Sequence, residues 1–135
     1  MKIETFLKFL PSNFRHEKSF FLQQKLLDFK VLSNLTDIEI YNIQKKSPLC
    51  TFNNLKKIRA IATFKKEISI SPSEAYLLLH CGIGSVESLS RSTAYELEQK
   101  IRRLERKLRV KTGTEITLTI LKVWIKKANQ VNKSI

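Results

Sequence analysis

Two of the three glycines in the chain stand one residue apart, in the stretch LLLHCGIGSVESL. Ser71 can begin an apolar helix before them, and Ser85 can begin a second helix after them. Only about four residues join the two helices, and so tight a reversal requires positive φ, which glycine adopts without a Cβ clash. We therefore predict that Gly82 and Gly84 form a turn between two helices, with Ile83 pointing inward. A side chain at Gly84 should then destabilise the fold.

This turn could bind an anion. Backbone N–H groups at the start of a helix have no partner within the helix, and the helix dipole adds positive charge at the same place. If the second helix begins after Ser85, the amides of Gly84, Ser85 and Val86 converge on one spot and could hold a phosphate group. Such a contact recognises a nucleic-acid backbone and not its bases.

The basic segment KIRRLERKLRVK is a second candidate surface, with seven basic residues and one acidic residue. Carboxylates four residues away on a helix can pair with some of these cations, and each pair stabilises by roughly 0.2–0.5 kcal/mol. The predicted pairs are Glu96–Lys100, Glu98–Arg102 and Glu105–Arg109. This leaves Arg103, Arg106, Lys107 and Lys111, which form either a solvated helix face or a ridge that binds phosphates or acidic groups.

Further cations can extend such a ridge. Lys122 and Lys126 lie on one face of the final predicted helix. A similar cluster in the first half of the chain consists of Lys56, Lys57, Arg59, Lys65 and Lys66. Trp124 lies on the apolar face of the final helix, so we expect it to pack in the core rather than against a base.

The overall charge favours polyanionic partners. The chain has 25 Lys and Arg against 12 Asp and Glu, a net charge of +13 that both halves share. Nucleic acid, an anionic membrane surface or an acidic protein face would suit such a surface. No segment approaches ~18 uncharged apolar residues, and the N-terminal residues do not form a signal peptide. Two cysteines without CxxC spacing suit a reducing compartment, so we expect a cytoplasmic protein.

The residues give little support for catalysis. His16 and His80 are the two histidines, and His80 is adjacent to Cys81, so on a helix their side chains diverge. No metal-ligand spacing, Ser-His-Asp order or glycine-rich phosphate loop is present in the sequence. We therefore expect no enzyme activity, no metal site and no cofactor.

Residues typical of helix N-caps occur at several places in the sequence. The segments SPSE, TDIE and TAYE are capping boxes that begin at Ser71, Thr36 and Thr93. Asn53 is a further predicted cap, and Thr114 after Gly113 is the last one. We also predict a short helix before Pro11 and another over about Glu17–Phe29.

Apolar spacing indicates an all-α protein. Leu97, Ile101, Leu104 and Leu108 follow each other at intervals of four, three and four residues, which is typical of one helix face. The segment after Gly113 alternates briefly like a strand, but its apolar residues continue at helical spacing, so we interpret it as a helix. The prediction is a compact bundle of short helices in one domain, residues 1–135. It divides into an N-terminal unit, 1–70, and a second unit with a closing helix, 71–135.

The stretch CGIGSVESLS resembles the hairpin of helix-hairpin-helix proteins, in which Gly-hydrophobic-Gly precedes a small and an aliphatic residue. The wider stretch EAYLLLHCGIGSVESLSRSTAYELEQKIRRL resembles a bacterial family of unknown function that is built from tandem helix-hairpin-helix units. The matching residues are Gly82, Ile83, Ser85, Val86, Leu89, Leu97, Trp124 and Ile125. The resemblance covers about residues 71–127 and implies that the second unit is well formed. The first is degenerate, because Lys30 replaces its hairpin glycine.

In nucleic-acid-binding members of the superfamily, the hairpin amides hold a backbone phosphate. This chain departs from them at Val86, where they usually carry Lys or another polar residue, and at Glu87, whose carboxylate would repel a phosphate. The turn could therefore serve packing alone. We expect non-catalytic, sequence-nonspecific binding of DNA or RNA through the turn and six basic residues. The predicted site residues are Gly82, Gly84, Ser85, Val86, Arg103, Arg106, Lys107, Lys111, Lys122 and Lys126. The alternative is a protein-interaction or assembly module whose basic face binds an acidic partner.

Overall fold

The computed structural model describes residues 2–108 and 116–133, and these residues are helical with no strand among them. A short 3-10 helix, Ser12–Phe14, follows the first α-helix. The α-helices are α1 (Ile3–Lys8), α2 (Arg15–Gln23), α3 (Lys30–Ser33), α4 (Asp37–Lys46), α5 (Phe52–Ile68), α6 (Pro72–His80), α7 (Val86–Ser90), α8 (Ala94–Leu108) and α9 (Leu118–Lys133). The all-α prediction is confirmed. Within the described part of the chain, no helix is long and apolar enough to cross a bilayer.

Helix α5 lies at the centre of the fold and packs against α3, α4, α6, α7 and α9. Its buried residues recur every three or four positions, and Leu55, Ile58 and Ile61 have no exposed surface. Burying each such side chain contributes about 1.5–3 kcal/mol relative to leaving it in water. The central helix therefore collects apolar faces from both the N-terminal and the C-terminal helices.

One continuous hydrophobic cluster joins the two ends of the described chain. Phe6, Phe14 and Phe21 contribute from the N-terminal helices, and all three rings are buried. Trp124 and Ala128 contribute from α9 and are buried as well, so the prediction that Trp124 packs in the core is confirmed. The division into two units stays a prediction.

Local capping determines where several helices begin. Thr36 and Ser71 form complete capping boxes with Glu39 and Glu74, because each hydroxyl accepts from the third amide and each carboxylate accepts from the cap amide. At Thr93 the hydroxyl accepts from the amide of Glu96. The predicted starts of α4 and α6 are therefore confirmed.

The start of α5 differs from the prediction. Its cap is Thr51, whose hydroxyl accepts from the amide of Asn54, so the prediction that Asn53 is the cap is wrong. The buried carboxylate of Glu17 on α2 causes this shift. It accepts from the amide of Thr51 at 3.1 Å and from the side-chain amide of Asn54 at 3.1 Å. A contact 34 residues away along the chain thus fixes the first turn of the central helix.

Two other predicted boundaries have different outcomes. Helix α2 ends at Gln23, short of the predicted Phe29, because Gln24 is extended and the chain turns back towards α1. There the carbonyl of Leu27 accepts from the amide of Ile3 at 3.2 Å. Gly113 and Thr114, the predicted end and start of the last two helices, lie outside the described residues.

Candidate nucleic-acid interface

The turn between α6 and α7 follows a regular hydrogen-bonding pattern. The amide of Gly82 donates to the carbonyl of Leu79 at 3.0 Å, and the amide of Ile83 donates to the carbonyl of Leu78 at 2.9 Å. Gly82 has a φ of +85°. This is a Schellman motif, in which a glycine in the left-handed conformation and the residue after it donate their amides to carbonyls at the end of the helix. Ile83 is buried, as predicted.

The second glycine does not have the conformation that we predicted. Gly82 is the glycine with positive φ in the described part of the chain, whereas Gly84 is not in that region. A Cβ atom at Gly84 would meet no atom within 4 Å. The Schellman motif completes the reversal at Gly82, and the chain is already extended at Ser85, with a φ of −153°. The prediction that a side chain at Gly84 destabilises the fold assumed a positive φ at this residue, and that assumption is wrong.

Ser85 caps α7, and its hydroxyl accepts from the amide of Ser88 at 3.0 Å. Among the described residues, no protein acceptor takes a hydrogen bond from the amides of Gly84, Ser85 or Val86. Gly84 and Ser85 are exposed, whereas the side chain of Val86 is buried. The turn thus presents backbone donors to solvent while Val86 packs inward.

A cavity of about 310 Å³ places basic side chains of α5 beside this turn. Gly84, Ser85 and Val86 line this cavity, and so do Lys56 and Arg59 of α5. Its other lining residues are Ser33, Ala60, Thr63 and Phe64. The fold therefore joins two features that the sequence analysis identified separately, the glycine turn and the basic cluster of the first half.

The two cations of this cavity have different surroundings. Arg59 donates to the carbonyl of Leu35 at 3.0 Å and to a carboxylate oxygen of Asp37 at 2.7 Å, so its guanidinium is held in place. Lys56 is exposed and lies 5.5 Å from the ring centre of Phe52, and within the described ranges no carboxylate pairs with it. Of the two, Lys56 is therefore the cation whose charge no described carboxylate neutralises.

Glu87, the acidic residue of the first turn of α7, forms an ion pair with Arg91 one helical turn further on. Both side chains are largely exposed, and such pairs contribute roughly 0.2–0.5 kcal/mol. Arg91 offsets part of the negative charge of Glu87, so Glu87 should repel an anion at the turn less than the sequence indicated.

Helix α8 has fewer internal ion pairs than predicted. Arg102 binds Glu105 at 3.2 Å and the carbonyl of Ile116 at 2.9 Å, so the predicted Glu98–Arg102 pair is wrong. The carbonyl of Ile116 is a better partner because it lies at the start of the segment that packs along α8. The predicted Glu96–Lys100 pair is not among the ion pairs that the described residues form either. The Glu105–Arg109 pair involves a residue outside the described part.

The four cations of this segment that were predicted to have no carboxylate partner differ in their contacts. Arg103 and Lys107 are exposed and form no ion pair with the described carboxylates. Arg106 is exposed as well and donates through Nε to the carbonyl of Arg102 at 3.3 Å. Lys111 lies outside the described residues. The exposed face of α8 therefore retains three of the predicted cations.

A second cavity, of about 490 Å³, lies between the start of α8 and the middle of α9. Ser92 and Ala94 line one side, and Lys122, Lys126 and Lys133 line the other with Ile125 and Asn129. The structure thus brings Lys122 and Lys126 together, as the sequence predicted. It adds Lys133, which the predicted site omits although its spacing places it on the same helix face.

Two thiols of the described part of the chain have a raised pKa. Burial raises the pKa of Cys81 to about 11, and the nearby charge of Lys100 opposes the shift. Burial and the carboxylate of Glu17 raise the pKa of Cys50. A thiol with a raised pKa carries little thiolate at neutral pH and is a poor nucleophile.

Comparison with known proteins gives one finding. Residues 23–131 match the family described as a domain of unknown function, DUF4332. No curated protein and no solved structure shows a significant match. Because the match spans most of the 135 residues, the chain belongs to the DUF4332 family.

Proposed function

We propose that this protein binds nucleic acid through the phosphate backbone, without catalysis and without sequence specificity. The observation that carries the proposal is the cavity that Gly84, Ser85 and Val86 line together with Lys56. Backbone donors at a helix start together with an ammonium group that no carboxylate pairs with form an anion site. The proposal includes a cytoplasmic location and a helix-hairpin-helix character for this turn, as in tandem helix-hairpin-helix proteins of bacteria.

Further support comes from the distribution of charge. Four ion pairs form among the described side chains, on a chain that carries 25 basic residues. Exposed cations on α8 and the lysines of the cavity beside α9 therefore add positive charge to the protein surface. Opposite charge of this kind attracts a polyanion from solution and holds it without reading bases.

Salt dependence tests the proposal. We would measure binding of labelled random-sequence DNA and RNA by fluorescence anisotropy at several salt concentrations. If about five phosphates are contacted on a duplex, the logarithm of the association constant should fall with the logarithm of salt at a slope near −4.5. Replacing Arg103, Arg106 and Lys107 by Glu should abolish micromolar binding. A parent protein that binds neither nucleic acid at low salt contradicts the proposal.

A matched variant separates local contacts from total charge. Lys2, Lys8 and Lys25 are exposed residues of the N-terminal region, and none of them lines either cavity. Changing these three to Glu alters the net charge by the same amount as the first variant. The proposal expects this control to keep most of its affinity. Equal loss in both variants would mean that charge alone, and no particular surface, causes the binding.

The turn itself can be tested at Gly84, because a side chain there meets no neighbouring atom and no positive φ is required. A carboxylate at this position would face Lys56 and repel a phosphate. Gly84→Glu should therefore weaken binding, whereas Gly84→Gln, of nearly equal size, should weaken it much less. If Gly84→Glu binds like the parent protein, the turn is not a phosphate site.

The alternative function, a protein-interaction or assembly module with an acidic partner, is an outcome of the same experiments. It predicts no binding of DNA or RNA at low salt, together with specific recovery of a protein by the parent chain. The buried side chain of Val86 is compatible with this alternative, because a turn that serves packing needs an apolar residue there. It does not account for the unpaired donors of Gly84 and Ser85.

A further inference from the structure

One exposed aromatic ring lies at the start of the basic helix α8. Tyr95 is 64% exposed, and among the described residues no other ring and no ammonium group covers its faces. Its neighbour Ala94 lines the cavity that contains Lys122 and Lys126. Trp124, by contrast, is buried and cannot stack on a base.

Helical spacing aligns Tyr95 with the arginines of the same helix. Residues at i, i+7 and i+11 share one helix face, and these positions are Tyr95, Arg102 and Arg106. Arg102 is held by Glu105 and by a backbone carbonyl, whereas Arg106 is exposed. An uncovered ring and an exposed guanidinium therefore lie along one side of α8, and the residue before the ring lines the cavity that contains the lysines of α9.

We infer that the nucleic acid bound by this protein is single-stranded, with one base stacked on Tyr95 and its backbone held by Lys122 and Lys126. The inference rests on the proposed function and names its substrate class. In a duplex the base faces are stacked on each other inside the helix, so an exposed side-chain ring cannot stack on them unless the bases first unstack. A single strand exposes its bases, and stacking on an aromatic ring beside cations is a recurrent way to hold it.

The test compares an oligothymidylate of about 12 nucleotides, within the range of known single-strand site sizes, with a duplex of equal length. Tyr95→Ala should weaken single-strand binding about 5- to 150-fold, the range for loss of one base–aromatic stack. The salt slope should stay unchanged because no charge is removed. Tyr95→Phe keeps the ring and should bind within about twofold of the parent, since stacking uses the π-face and not the hydroxyl.

The chain offers a matched control in Tyr41 on α4, a second exposed tyrosine whose ring is already covered by the ammonium of Lys45 at 4.6 Å. Tyr41→Ala should leave single-strand affinity unchanged. Both positions are on the surface of a helix, so each alanine variant should fold, which far-ultraviolet circular dichroism and thermal unfolding would verify.

The outcomes distinguish this inference from the proposed function. If the parent protein binds neither strand form, the proposed function fails and the inference fails with it. If the parent binds both forms equally, or if Tyr95→Ala binds the single strand like the parent, the inference alone is overturned. Equal loss from Tyr41→Ala and Tyr95→Ala would also overturn it, because the effect would not depend on the uncovered ring.

Discussion

The two glycines of the turn should respond in opposite ways to the same substitution. Gly82 has a φ of +85°, and a residue with a Cβ atom costs about 1–2 kcal/mol in that conformation. Gly84 does not have positive φ, and at either glycine a Cβ atom would meet no atom within 4 Å. Steric contact with neighbours is therefore absent at both positions, and the backbone conformation decides the result.

The magnitude follows from two contributions. Alanine in place of glycine reduces the conformational entropy of the unfolded chain, which stabilises the protein by about 0.4–1 kcal/mol. In Gly84→Ala only this entropic contribution changes, so the variant should be slightly more stable than the parent. Gly82→Ala has the same entropic gain, but its Cβ atom also destabilises the left-handed backbone conformation. The free energies of unfolding of the two variants should therefore differ by about 1–2 kcal/mol. For a domain of 135 residues this corresponds to about 4–7 °C in Tm.

Urea and thermal unfolding followed by circular dichroism would measure the difference. Gly82→Asn is a useful third variant, because asparagine tolerates the left-handed conformation better than alanine and should lie between glycine and alanine in stability. Equal Tm values for Gly82→Ala and Gly84→Ala, or a lower value for Gly84→Ala, would refute the assignment of the reversal to Gly82.

Three further outcomes follow from single residues. Ser69 ends α5 with a φ of 58°, so Ser69→Gly should raise stability by about 0.5–1 kcal/mol in urea unfolding, and no change would contradict the strain. Glu17→Ala removes the acceptor for the amide of Thr51 and should cost about 2–3 kcal/mol, whereas Glu17→Gln, which keeps one acceptor, should cost less. In a Cys50→Ala background, folded Cys81 should react with iodoacetamide at pH 8 about 100-fold more slowly than in urea, since its pKa is raised from 9.0 to about 11. Equal labelling rates in the folded protein and in urea would contradict the raised pKa. Because the folded state binds the thiol proton of Cys81 more tightly, the contribution of this proton to the free energy of unfolding is present below pH 9 and is lost as pH rises towards 11.

Local signals in the sequence predicted the helix starts well. The capping boxes at Thr36 and Ser71 need only side chains and amides within three residues, so their chemistry is complete in the sequence. Thr51 could not be chosen over Asn53 in this way, because the deciding contact comes from Glu17, 34 residues earlier. Where a distant carboxylate determines which of two residues caps a helix, the local sequence pattern alone does not identify the cap.

The same distinction applies to the candidate site. The turn at residues 82–84 was predicted because its glycines stand between two helix caps, but two identical residues gave no indication of which one carries the positive φ. The hydrogen bonds of the Schellman motif decide this. The proximity of Lys56 to Ser85 is a consequence of how α5 packs against α7, and no periodicity in either segment encodes it.

The contact between Glu17 and the start of α5 also bears on where this protein can be divided. The shared family segment begins at residue 23, yet the carboxylate that anchors the central helix lies before that boundary. Phe6, Phe14 and Phe21, which complete the core, lie before it too. A fragment trimmed to the family limits would lose this anchor and expose a phenyl-lined face to water. We therefore expect a fragment of residues 23–131 to be less stable than the full chain.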